Sequence, residues 1–153
     1  MATSRSEKVT QFAIVVIAVC AVVVSVWQVS IAQRHNRLSV RPYLNFFSGW
    51  ATEDTWALKL QNEGIGPAII KSVSLTYKGE TYTHWDAVLD AAEIRDKRVN
   101  SINLGIDAPF KADKEIIYLQ LKGDPKNRVL YGIEVLIKYT SIYDEPFEIG
   151  MRF

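Results

Sequence analysis

Twenty-one residues near the N-terminus, Phe12 to Ala32, read FAIVVIAVCAVVVSVWQVSIA, and only Ser25, Gln28 and Ser30 among them are not apolar. No Asp, Glu, Lys, Arg or His interrupts the run. As a helix it is about 31 Å long at 1.5 Å per residue, close to the hydrocarbon thickness of a bilayer. Valine is a modest helix former in water, but lipid offers the backbone no other hydrogen-bond partner, so a helix forms there regardless. A core helix of that length without one charge would be unusual in so small a domain. The run predicts a single transmembrane helix over 12–32, after an N-terminal tail at 1–11.

The flanks support an anchor. Trp27 lies where an aromatic ring suits the headgroup boundary, and Arg34, His35 and Arg37 mark the return to water. Gln33 to Leu38 contains no Gly or Pro, so helix continues past the bilayer; Pro42 disfavours helix at Arg41. The expectation is one helix from about Lys8 to Leu38 and a basic juxtamembrane stalk at 33–41. There Arg34, Arg37 and Arg41 reach anionic headgroups, each contributing about 1 kcal/mol. A cleavable signal peptide is the rival, with Ser30-Ile31-Ala32 before Gln33 as its processing site. The run is long for a signal core, and Trp27 and Gln28 crowd that site, which favours a retained anchor. Val19 before Cys20 fits poorly with a lipoprotein signal. Arg5 and Lys8 on one side nearly balance Arg34, Arg37 and Arg41 on the other. A brief positive tail before a long apolar run resembles a signal anchor. The expectation is a single-pass protein of the cell inner membrane with its C-terminal domain extracytoplasmic.

Within the span, Ala18, Ala21, Ser25, Gln28 and Ala32 recur at spacings of three and four and form one small or polar stripe. Small side chains let a second helix approach, and Ser25 and Gln28 offer hydrogen bonds across such a contact. The stripe predicts a homo-oligomer or a membrane partner packed there, against the plain alternative that alanine is common in membrane helices. Cys20, the sole cysteine, excludes a disulfide within the chain and reads as a lipid-buried packing residue.

Composition matters once the chain is divided. The mean hydropathy of +0.01 and net charge of +1 describe an ordinary soluble domain. Residues 1–41, however, hold five Lys/Arg and one acid, and residues 42–153 hold 13 Lys/Arg and 16 acids. A basic anchor is joined to a mildly acidic domain long enough to build its own core. That acidity, with no basic stripe, argues against nucleic acid as a partner.

Residues 42–153 alternate with period two. Trp56, Leu58 and Leu60 form one such set; Val73, Leu75 and Tyr77 another. Ile117, Leu119 and Leu121 follow, then Ile133, Val135, Ile137 and Tyr139, then Phe147, Ile149, Met151 and Phe153. An earlier strand is expected around Tyr43 to Phe47. Such repeats predict sheets with one buried face each. Asn62-Glu63-Gly64-Ile65-Gly66-Pro67, Lys78-Gly79, the segment 107–113, Gly123-Asp124-Pro125 and Tyr143-Asp144-Glu145-Pro146 read as turns. About seven strands so joined predict a mainly β, immunoglobulin-like β-sandwich over 42–153, without the usual cysteine pair. One short helix interrupts it. Thr83 to Asp86 reads as a capping box with Thr83 as N-cap, and the helix ends near Glu93. Arg95 to Arg98 follows as a charged, exposed connection.

No catalytic or metal constellation emerges. His35 sits in the stalk, and His84 and Asp86 diverge on a helix. No CxxC, HExxH, Walker or GxGxxG spacing occurs. Asp86, Asp90 and Glu93 share a helix face, which reads as a solvated surface rather than an acid/base pair or a Ca²⁺ site. No cofactor is expected. Among the aromatic residues, Trp56 fits a core position. Trp50, in a presumed loop, and Trp85, at a helix start, are candidates for a partner surface.

The apolar span, then His35-Asn36-Arg37-Leu38-Ser39-Val40-Arg41-Pro42, Leu60 to Ala68 and Tyr139-Thr140-Ser141-Ile142-Tyr143 together resemble small uncharacterised bacterial single-pass membrane proteins. The resemblance covers most of the chain and implies a C-terminal β-sandwich, with no activity to transfer. Asp144 stands where the pattern expects Gly. The sequence leads to a membrane-anchored, non-enzymatic module that binds a protein partner in an envelope assembly. The alternative is a sensor or effector whose β domain binds a ligand in the cytosol and signals by self-association in the membrane. An enzyme built on His84, Asp86 or Asp90 is the third and weakest reading.

Overall fold

The computed structural model describes residues 5–123 and 130–153, so the Asp124-Pro125 part of one expected turn lies outside the described residues. The described chain divides after Leu38 into two compact units. The first is α1, Arg5–Ser39. It is uninterrupted through Ser30-Ile31-Ala32-Gln33, and its stretch Glu7–Ser39 is long and apolar enough to cross a membrane. None of the apolar window is buried within the protein. The helix stops three residues before Pro42, where the ring of a proline limits its predecessor. Ser39, Val40 and Arg41, expected in the stalk, belong to the second unit.

The second unit is mainly β. One antiparallel sheet has the order β1 (Leu44–Thr52), β2 (Thr55–Asn62), β7 (Glu115–Lys122), β5 (Arg98–Ser101). The other has the order β4 (Glu80–Tyr82), β3 (Ala68–Tyr77), β8 (Ile133–Thr140), β9 (Pro146–Arg152), with the short β6 (Pro109–Phe110) also on β3. Leu58, Leu60, Leu119 and Leu121 from the first sheet and Ile70, Leu75, Val135 and Ile137 from the second bury into one core. This is the face that the period-two pattern assigns inward.

Three local departures have physical causes. In β7 the alternation expects Tyr118 outward. Leu58 pairs with Leu119 and Lys59 with Ile117, so Tyr118 is the extra residue of a bulge. The bulge turns it inward, and it packs on Phe46 and edge-on against Trp85, with ring centroids 6.2 and 5.2 Å away. The short helix α2, Trp85–Ala91, has His84 rather than Thr83 as N-cap and makes no side-chain cap. The Thr83 hydroxyl instead bonds His84 Nδ1 at 2.8 Å, and Asp86 pairs with Arg98. Arg98, expected in an exposed connection, opens strand β5 after a 3₁₀ turn at Arg95–Lys97. The Lys78-Gly79 hairpin forms as expected, with φ of 50° and 87°, the positive pair that a tight two-residue turn requires.

Candidate functional site

Trp85 is fully buried, so it is no part of a surface. Helix α2 lays Trp85, Val88 and Leu89 on the core, and the indole sits against Tyr118. Its N–H has no hydrogen-bond partner among the described residues, and burial pushes the Tyr118 phenol pKa up. Asp90 and Glu93 are exposed and Asp86 is half-buried; Asp90 pairs with Arg95 at 2.7 Å and Asp86 with Arg98. Among the described residues no group of three or more His, Cys, Asp or Glu is placed to hold a metal. Clefts of about 230 Å³, beside Ile102 and Phe110, and about 370 Å³, beside Thr76 and Glu134, are open to solvent.

Trp50 is different. It lies in strand β1, not in a loop, and it is 54% exposed. It stands directly opposite Trp56, which is buried. β1 is the outer strand of its sheet. Its first residues alternate inward and outward, with Leu44 and Phe46 buried, but everything from Phe47 to Thr52 is exposed on both faces. Tyr43 bonds Glu63 through its carbonyl, which sets the alternation of the β1–β2 ladder. By that alternation the main-chain groups of Phe46, Ser48 and Trp50 point away from β2. At Gly49 no atom stands within 4 Å of where a side chain would begin.

The other outer strands are guarded. β4 is three residues long. β5 is four residues long, opens with Arg98 and is bulged against β7. β9 starts at Pro146 and carries Glu148 and Arg152, the latter paired with Glu134. Short length, proline, charge and bulges are the devices that keep a sheet edge from pairing with another chain. β1 has nine residues, LNFFSGWAT, with no charge and no proline. Its one irregularity is the shift between Trp50 and Thr52. Sequence reading found Trp50 but not the edge, because hydropathy does not say which strand ends a sheet.

A second feature was legible only as a turn. The opposite end of β1 is held by Asn62, a buried side chain at the end of β2. Its Oδ1 accepts from the N–H groups of Tyr43 and Gly64, at 3.1 and 3.0 Å. Its Nδ2 donates to the carbonyls of Gly66, Phe110 and Lys111, at 2.9, 3.2 and 3.2 Å. One amide thus joins the segment after α1, the 62–67 turn and the 107–113 loop. Both glycines of that turn are required by close approach: a side chain on Gly66 would start 1.7 Å from the Val40 carbonyl oxygen, and one on Gly64 would start 2.3 Å from the Tyr43 nitrogen. Ser141 plays a similar part in the last hairpin, its Oγ accepting from Tyr143 and Glu145. Asp144 adopts φ of 57°, the conformation for which glycine is the usual choice.

The remaining predicted residues sit as follows. Ala18, Ala21, Ser25, Gln28 and Ala32 are exposed along α1, as are Trp27, Arg34 and Arg37. The Ser25 hydroxyl donates to the Ala21 carbonyl at 2.8 Å, so its proton is engaged within the helix. Arg41 lies over the Phe147 ring, 4.9 Å from its centroid, and is thus held on the β unit. Comparison of the chain with family models and with curated proteins gave no match.

Proposed function

We propose that the protein is a membrane-anchored, non-enzymatic module that binds a protein partner by strand addition at β1 within an envelope assembly. The observation that carries this reading is the unguarded outer half of β1, with exposed Phe47 and Trp50 and outward-facing main-chain groups. An added strand would use those groups for affinity and the exposed aromatics for selection. The anchor is α1, retained rather than cleaved. The apolar run is long for a signal core, and Trp27 and Gln28 crowd the candidate site at Ala32-Gln33. In this reading the domain is an immunoglobulin-like sandwich. The orders β1-β2-β7-β5 and β4-β3-β8-β9 follow the A-B-E-D and C′-C-F-G arrangement of that fold.

Gentle solubilisation of native membrane, followed by co-purification, tests the proposal. The chain is expected to bring down a defined partner, and Trp50→Lys to lose it while the domain stays folded. A reporter fused after Phe153 is expected to be active outside the cytosol. Retention of the partner by Trp50→Lys would refute the β1 site. The stripe of Ala18, Ala21, Ser25, Gln28 and Ala32, exposed along α1, supports self-association of α1 as a second contact.

A further inference from the structure

Large apolar side chains at loop tips are uncommon on a soluble surface unless they meet something. One end of the β unit presents several. Ile65 is 76% exposed, Ile106 59%, Ile142 51% and Tyr143 44%. They come from three separate loops, 62–67, 102–108 and 141–145. The loops share one end because β3 begins there. Ile70 exchanges main-chain bonds with Asp107 and Ala108, and Ile69 is paired with Thr140, the last residue of β8. Lys71 bonds Asp107 at 2.8 Å. The 62–67 loop is tied to the same end through Asn62.

This is also the end at which the chain arrives from α1. Val40, the residue after the last residue of the helix, packs on Gly66, and Arg41 packs on Gly64. By covalent linkage alone, this end follows the span most closely. Gln33 to Ser39 adds about 10 Å of helix beyond Ala32. The headgroup layer takes up about 6 Å of that distance. The tips are also held in place: Asn62 and Ser141 fix the backbones from which Ile65 and Ile142 project.

We infer that Ile65, Ile106, Ile142 and Tyr143 form a second membrane contact, seating this end of the β unit in the headgroup layer of a lipid bilayer. The inference rests on the anchoring reading of α1. The contact rests on apolar side chains, with Lys71 paired to Asp107 and Lys114 over the Phe110 ring. It therefore needs no anionic lipid.

The test uses the full chain in phosphatidylcholine vesicles. A nitroxide is placed at native Cys20, or, in a Cys20→Ser background, at Ile65→Cys, Ile106→Cys or Ile142→Cys, with Glu53→Cys at the far hairpin as reference. Accessibility to a water-soluble nickel relaxant is measured for each. The tip positions are expected to be at least about threefold less accessible than position 53, at every protein-to-lipid ratio. Tips as open as position 53, with the Cys20 nitroxide shielded, would overturn the inference and leave the anchor standing. An open Cys20 nitroxide would overturn both. Shielding of the tips that disappears on dilution with lipid would show that a second copy covers them, which also overturns the bilayer contact.

Discussion

The two halves of β1 are built from the same kinds of residue and have opposite surroundings. Leu44 and Phe46 are buried, whereas Phe47 and Trp50 are open to solvent. The first half is clamped. Leu44 donates its N–H to the Tyr139 hydroxyl, Tyr43 is bonded by Asn62, and the Gly64–Gly66 turn lies against the preceding residues. The second half is held by β2 alone. Hydropathy does not separate them; what stands opposite each does. The clamped half follows α1 in the chain, and the open half is where we propose strand addition.

The largest expected effect strikes the clamp. Gly66→Ala sets a methyl carbon against the Val40 carbonyl, a clash with main chain that no rotamer relieves. It should destabilise the β unit by on the order of 3 kcal/mol or more, read as a lowered thermal midpoint. Asn62→Ala removes the partner of several main-chain groups at once, each costly when left unpaired. About 2–3 kcal/mol is expected, with amide exchange speeding up first at Tyr43 and Gly64. A loss below about 0.5 kcal/mol would show that the near half is not clamped by this residue.

The next effect is one of pH. Burial raises the Tyr118 pKa above its ordinary 10.0, so the folded state holds the neutral phenol. A raised folded pKa gives stability that is complete below pH 10 and is lost as pH climbs from there towards the folded value. Alkaline titration of unfolding should show this fall, with a slope of at most about 1.4 kcal/mol per pH unit from this group. Tyr118→Phe should flatten it. An unchanged alkaline limb in that variant would contradict the burial argument.

Trp50→Lys tests the open half. Stability should move by no more than about 0.5 kcal/mol, because the side chain is exposed, while partner recovery falls sharply. A large destabilisation would mean that Trp50 belongs to the fold. Smallest of all is Asp90→Asn, which breaks an exposed pair with Arg95 and should shift the thermal midpoint barely measurably.

Much of the fold is legible in the chain. The apolar run predicts α1, and the alternation through Trp56–Leu60, Val73–Tyr77 and Ile133–Tyr139 predicts strands whose inward residues are the observed core. What escapes has a common cause. Tyr118 is inverted by a bulge set by pairing with β2, and Trp85 is buried because α2 packs on the sheets. Strands β4, β5 and β6 are two to four residues long, too short for a period to register. The edge itself is a property of sheet order. Trp50 was therefore recognisable as a residue out of place, but not as part of an unguarded strand. Asn62 reads as one more turn residue until its bonds are traced to three segments.

The most direct test of strand addition at β1 is photocross-linking in native membrane. A photoreactive residue is placed at Trp50, or at Glu148 on the guarded β9 edge, each with and without Ser48→Pro, which removes one of the outward N–H groups. The account predicts a single discrete protein adduct from Trp50, lost with Ser48→Pro and absent from Glu148. An adduct that survives Ser48→Pro, or no adduct above the Glu148 background, would contradict it.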